Sequence, residues 1–189
     1  QSGTMYDPRV VHRFVQLLPQ LRREDQHVES GHATGSVEMT GDTDLPLEKI
    51  PSAQIEIGRL VLRDGLAEIL PGADAGFFVQ AEKSVAAAFW TERLAGVVRD
   101  MRIPTGDGLA GWVAAHRHTI VNSNSDLDLG AGAKELHLGS CCVLPVFALG
   151  TLVGVLGVYL PEGQRCSAQD VRRLGGLAQE LGTALLPLD

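Results

Sequence analysis

Residues 103–114 read Ile-Pro-Thr-Gly-Asp-Gly-Leu-Ala-Gly-Trp-Val-Ala, and the reading of this stretch decides the fold. Gly106-x-Gly108-x-x-Gly111 matches the spacing of a dinucleotide-binding turn. That turn needs a strand before it and a βαβ unit of about 30 residues around it, so that a pyrophosphate meets a helix N-terminus. Here Pro104 interrupts the preceding strand, and the following segment runs into a brief strand, Thr119–Asn122, and an acidic loop. The glycines therefore turn the chain into a short helix, Gly108–His116, whose Leu109, Trp112 and Val113 pack on a sheet. Its N-terminus remains able to receive an anion.

Downstream, the apolar runs Cys141–Leu149 and Leu152–Leu160 flank Gly150-Thr151 and form the clearest hairpin in the chain. Ser167, three residues before Asp170, makes a capping box at the start of a terminal helix. In that helix Val171, Leu174, Ala178, Leu181 and Leu185 fall at heptad a and d spacing. Its Gly175, Gly176 and Gly182 would each cost about 1 kcal/mol relative to Ala unless another helix approaches closely. Upstream, Gln54–Leu70 is helical with two apolar faces, one of Ile55, Leu62, Leu66 and Ile69 and one of Ile57, Leu60 and Val61; Pro71-Gly72 ends it. Ala75–Ala81 and Val85–Thr91 pair as a hairpin through Glu82-Lys83-Ser84. Leu94–Arg102 is ambiguous between a helical turn and a strand, and Ser123–Gly139 reads as loop with one helical turn near Ala133–Leu138. The order of elements is α+β. It predicts a five- or six-stranded antiparallel sheet with the N- and C-terminal helices on one face and loops and short helices on the other.

Before this body, residues 1–21 carry an amphipathic helix over 7–21, with Asp7 as N-cap and Pro8 at the first position. Residues 22–51 hold seven acids, three bases and few large apolar side chains, the composition of a polar linker. Residues 52–189 form the domain proper. The 189 residues carry a net charge of −7 and no basic run longer than two, which argues against nucleic acid or an anionic membrane as partner. Three cysteines, two of them adjacent, make no disulfide framework and fit a reducing, cytoplasmic setting. The longest apolar stretches are too short for a transmembrane helix. His116-x-His118 is the only close histidine pair, and no CxxC or HExxH accompanies it, so no metal site is expected.

Taken in order, the 103–114 stretch, Thr119-Ile120-Val121-Asn122 with its acidic loop, Leu144-Pro145-Val146, Leu152-Val153-Gly154-Val155-Leu156 and the capped terminal helix resemble a GAF domain over about residues 52–186. The resemblance implies a small-ligand pocket on the sheet face beneath the middle loops. A second stretch, Gly3–Leu21, is similar to the last helix of HD-GYP phosphodiesterase domains through Tyr6, Asp7, Pro8, Val10, Val11 and Phe14. It implies an upstream cyclic di-GMP phosphodiesterase domain in the parent protein. The metal-binding His-Asp pair and the GYP signature of that family are absent from this chain, so no catalytic residue carries over.

These readings together predict a non-catalytic sensory or regulatory domain of a bacterial signalling protein, without a cofactor. The ligand-binding candidates are Phe78, Phe89, Leu109, Trp112, Asn122, Asn124, Asp126 and His137. The apolar stripes of helices 54–70 and 168–186 predict a homodimer built as a four-helix bundle. A second reading is a ligand-free dimerisation module whose pocket is filled by its own aromatic side chains. A third is a thiol enzyme such as the free methionine sulfoxide reductases of GAF fold. Their "GxCG" thiol position is Ala110 here, and Asn122 stands in the strand where another thiol is expected.

Overall fold

The computed structural model describes residues 50–186. The helix expected over 7–21, with its HD-GYP resemblance, lies outside the described residues, as does the linker up to residue 49. The last two linker residues are described. Ile50 is buried in the core and Pro51 precedes the first helix.

Thirteen elements follow, all antiparallel where they pair. Helix α1 spans Ser52–Ile69; β1 Asp74–Ala81 and β2 Ser84–Trp90 form a hairpin. The ambiguous segment resolves into a 3-10 turn, Glu92–Leu94, a helical turn α2, Ala95–Val98, and a short strand β3, Arg102–Pro104. Pro104 thus closes a strand instead of interrupting one. It is tolerated because β3 lies at the sheet edge, where a missing N–H breaks no ladder. Helix α3 spans Gly108–His116, as expected, and β4 Ile120–Asn124. The expected 123–139 loop instead contains two short helices, α4 Asp126–Leu129 and α5 Ala131–Glu135. Strands β5, Leu138–Ala148, and β6, Thr151–Pro161, precede the terminal helix α6, Ala168–Ala184. The β5–β6 turn is Leu149-Gly150, and Thr151 belongs to β6. Both turn residues have positive φ, 49° and 81°, as the primed hairpin turns require.

The sheet order is β3-β2-β1-β6-β5-β4. Alternation along the strands divides the interior in two. Phe77, Val79, Val146, Leu156 and Val158 face α1 and α6, whereas Phe78, Cys141, Val143, Val155 and Tyr159 face α3–α5, the lid.

One exception reassigns a predicted site residue. The β1–β2 register slips between Phe77 and Phe78, leaving Ala88 as the extra residue of a bulge. Strict alternation would put Phe89 beside Val85 and Ala87 under the lid. The bulge sends it to the helix side, where it stacks on Phe77 with ring centroids 4.9 Å apart. Gly58 of α1 leaves it room, since a Cβ there would meet the Phe89 ring at 2.8 Å. Phe89 is a core residue under the helices, not a pocket residue.

The terminal helix starts with the expected capping box: Asp170 N–H donates to Ser167 Oγ at 3.2 Å and Ser167 N–H to Asp170 Oδ2 at 2.8 Å. Its heptad stripe faces inward. Leu174 and Leu181 are fully buried in one chain, together with Leu177 and Leu185, so they cannot serve as the seam of a four-helix bundle. Arg173 ties α6 to α1 by donating to the Glu68 carbonyl at 3.0 Å, a cation at a helix C-terminus. Of the three helix glycines, only Gly182 is explained internally, because its Cα lies against the Phe147 backbone. No described helix is long and apolar enough to cross a membrane.

Introducing Leu174→Glu together with Leu181→Glu places two charges in this core, at several kcal/mol each against a typical total stability of 5–15 kcal/mol. Circular dichroism is expected to show loss of the cooperative melt, not a folded monomer.

Candidate functional site

The lid face is where the sequence places a ligand, and its geometry starts at the N-terminus of α3. Four leading N–H groups of any helix lack intrahelical partners. The N-cap, Asp107, makes no side-chain cap. Asp128, from α4, does this instead: Leu109 N–H donates to Asp128 Oδ1 at 2.6 Å, and Ala110 N–H reaches both carboxylate oxygens at 3.2 Å. The glycine turn makes the approach possible. Gly108 has φ +56°, and a Cβ there would meet Asp128 Oδ1 at 2.6 Å; at Gly111 a Cβ would run into the Pro104 carbonyl. The anion expected at this helix end is therefore part of the chain.

Burial pushes the Asp128 carboxyl above its ordinary 3.8, and the two backbone donors oppose that shift. Tyr159 is fully buried on the same face, and its hydroxyl finds no hydrogen-bond partner among the described residues. Its pKa is driven well up by burial, then by the nearby Asp128 and Cys141. The Cys141 thiol donates to the Ser123 carbonyl at 3.6 Å, and burial pushes its pKa up to about 12. A thiol held neutral in this way is a poor nucleophile.

The lid is fastened by a second polar node. Arg93 pairs with buried Asp74 at 2.7 Å and donates to the Leu136 carbonyl at 3.0 Å, while Thr91 Oγ1 donates to Asp74 at 2.8 Å. Beneath the lid, Phe78, Ala110, Val113, Cys141, Val143, Val155 and Tyr159 all have zero exposure, which leaves no water-sized void against them. A surface depression of about 230 Å³ lies elsewhere, between β5 and α6, lined by Thr119, Leu144, Pro145, Phe147 and the Gly175–Gln179 side of the helix.

The structure does not bring the eight predicted residues together. Phe78 and Leu109 lie in the lid-side core. Phe89 is on the opposite side of the sheet. Trp112 is 37% exposed and stacks on His116 at 4.3 Å, on the outer side of α3. Asn122, with φ 54°, clamps the chain ahead of α6: its Nδ2 donates to the Cys166 carbonyl at 3.0 Å and its Oδ1 accepts from Cys166 N–H at 2.8 Å. Asn124 Oδ1 accepts the Asp126 N–H at 3.0 Å and so opens α4. His137 is an exposed turn residue with φ 54°. Sequence reasoning missed Asp128 and Tyr159. Asp128 stood within the acidic run that drew attention, but its partner helix lies 19 residues away. Among the described residues no three His, Cys, Asp or Glu side chains converge as metal ligands.

A sequence-family profile for the GAF domain matches residues 55–186. No curated protein matches the sequence. Among solved structures, the GAF domain of a phosphoenolpyruvate-protein phosphotransferase from Coxiella burnetii is 17% identical, covers 90% of each chain and superposes with a TM-score of 0.59. The GAF domain of a two-component sensor histidine kinase from Bacillus halodurans is 18% identical over 72% of this chain and 94% of its own, with a TM-score of 0.56. Free methionine-R-sulfoxide reductase from Neisseria meningitidis, solved with its substrate, is 23% identical over 74% and 85% of the two chains, with a TM-score of 0.58.

The raised carboxyl of Asp128 fixes the sign of one pH effect. Between 3.8 and the higher folded pKa, the native state binds more protons than the unfolded chain. Stability therefore falls as pH rises through that window and levels off above it. Asp128→Asn is expected to flatten this segment of the denaturation profile while keeping the cap through its amide oxygen. Asp128→Ala should orphan the Leu109 and Ala110 N–H groups and cost about 1–3 kcal/mol across the pH range.

Proposed function

The chain belongs to the GAF domain family, and from that premise we propose that it is a non-catalytic regulatory module whose ligand face is closed by its own side chains. The observation that carries this reading is the packing under the lid. Seven residues there have zero exposure, and an internal carboxylate occupies the α3 N-terminus. The GAF domains of a sensor kinase and of a phosphotransferase share the fold, which is consistent with a role attached to a separate catalytic domain. The Gly3–Leu21 resemblance points to a cyclic di-GMP phosphodiesterase of HD-GYP type as that domain in a bacterial, cytoplasmic signalling protein. The thiol-enzyme alternative is disfavoured by the Cys141 pKa of about 12 and by the burial of all three cysteines.

A second reading has one observation in its favour. The unpartnered Tyr159 hydroxyl, wholly buried beside Asp128, is the kind of group a small polar ligand under an opened lid would satisfy. Homodimerisation remains part of the proposal on altered grounds. The half-buried Ile55, Leu60 and Val61 of α1 and Val171 of α6 would carry it in place of the buried leucines.

Native mass spectrometry separates the two readings. The closed module is expected to give the bare chain mass, or twice that mass for a dimer. An additional small mass lost on denaturation would establish the liganded reading instead. Incubated with cyclic di-GMP and divalent metal, this chain is expected to release no hydrolysis product above a metal-only blank.

A further inference from the structure

The chain between β6, which ends at Pro161, and α6, which begins at Ala168, is held at three places by residues next to the lid helices. Glu162 N–H donates to the His137 carbonyl at 3.0 Å. Ser140 Oγ donates to the Gln164 carbonyl at 2.6 Å. The Asn122 amide takes both backbone groups of Cys166, at 3.0 and 2.8 Å, one residue before the cap of α6. The backbones also run close here, since a Cβ on Gly139 would meet Glu162 Cα at 3.1 Å.

Asn122 and His137 are at the same time the residues that bracket α4 and α5. Both have a φ of 54°, a left-handed conformation that few non-glycine residues adopt. Asn122 lies where the β4–β5 register shifts, between Ile120 and Ser123, and His137 turns the chain from α5 into β5. Between them, the polar fastenings of α4 and α5 are Asp128 on the α3 N–H groups and Arg93 on the Leu136 carbonyl. Closure leaves the Tyr159 hydroxyl, wholly buried on this face, without a partner among the described residues. Such a group carries a cost that water or a ligand removes once the cover is displaced.

We propose that the β6–α6 connection is a coupling joint, through which release of α4 and α5 loosens the first turn of α6. The Asn122 amide is its principal tie, because it grips the residue next to the capping box. When α4 and α5 shift, the ends of their segment shift with them, and the bonds to Glu162 and Cys166 lengthen. Ser167 then loses the extended conformation in which it and Asp170 cap each other. The coupling is reciprocal, so weakening the α6 cap must loosen α4 and α5 in turn. The joint rests on the regulatory reading for its use, whereas its test needs no ligand.

That test is hydrogen exchange on the 189-residue chain and its variants. Arg93→Lys keeps a cation beside buried Asp74 and gives up the two-pronged grip that includes the Leu136 carbonyl. It is expected to speed exchange at the lid amides of Leu129, Gly130 and Leu136. The Asp170 and Val171 amides of α6 should speed up with them, by about fivefold or more. Asp128→Ala, which releases α4 from α3, should give the same pattern. Asn122→Gly removes the side-chain tie and keeps the positive φ without strain. In that background either release should still speed the lid amides but leave Asp170 and Val171 at the background's own rate. Ser167→Ala should speed the lid amides when Asn122 is present and not in the Asn122→Gly background. A released lid with Asp170 and Val171 unchanged, or changed equally in both backgrounds, overturns the joint, as does a lid that neither substitution releases. None of these results touches the regulatory reading, which native mass spectrometry decides.

Discussion

A sheet covered on both faces is the constraint from which the rest of this domain follows. Seven of the eight residues of β1, and most of β6, are buried irrespective of the side they face. Every second residue must therefore suit a different neighbour: two long helices on one side, four short ones and a 3-10 turn on the other. Near-continuous apolar strands are the compositional result, with small residues wherever a neighbouring backbone or ring comes close. Gly154 is one such place, lying against Phe77 on one strand neighbour.

The two coverings are fastened differently. Helices α1 and α6 are held by apolar area, with one helix-end contact from Arg173. The lid helices are shorter, and α4 and α5 run only four and five residues. Polar bonds fasten them in addition to their apolar packing: Asp128 onto the α3 N-terminus, and Asp74 with Arg93 onto the carbonyl of Leu136. Of these bonds, the one made by Asp128 depends on its protonation. The polar fastening of the lid thus rests on few groups.

The legible parts of this architecture were local in sequence. Gly108–His116 and the capping box at Ser167 are set by residues within one helical turn of each other, and the β5–β6 turn by two adjacent residues. What escaped was set by partners far along the chain. A heptad stripe announces that α6 buries Leu174 and Leu181, but not whether the surface they meet is a second copy or the same chain's sheet. Asn122 reads as a ligand-binding candidate because the backbone it clamps lies 44 residues on. Phe89 was misplaced for a subtler reason. A period of two is reliable only while the register holds, and the single extra residue at Ala88 moved it through the sheet.

The same alternation explains why two adjacent cysteines carry different chemistry. Their side chains point to opposite faces of the sheet. Cys141 sits against Ser123 and the Asp128 carboxylate, so any charge on it is opposed by a neighbouring charge as well as by burial. Cys142 sits in the core under the helices, a layer that also holds Cys166. Adjacent residues of one strand thus stand in different surroundings because alternation alone assigns each to a different covering of the sheet.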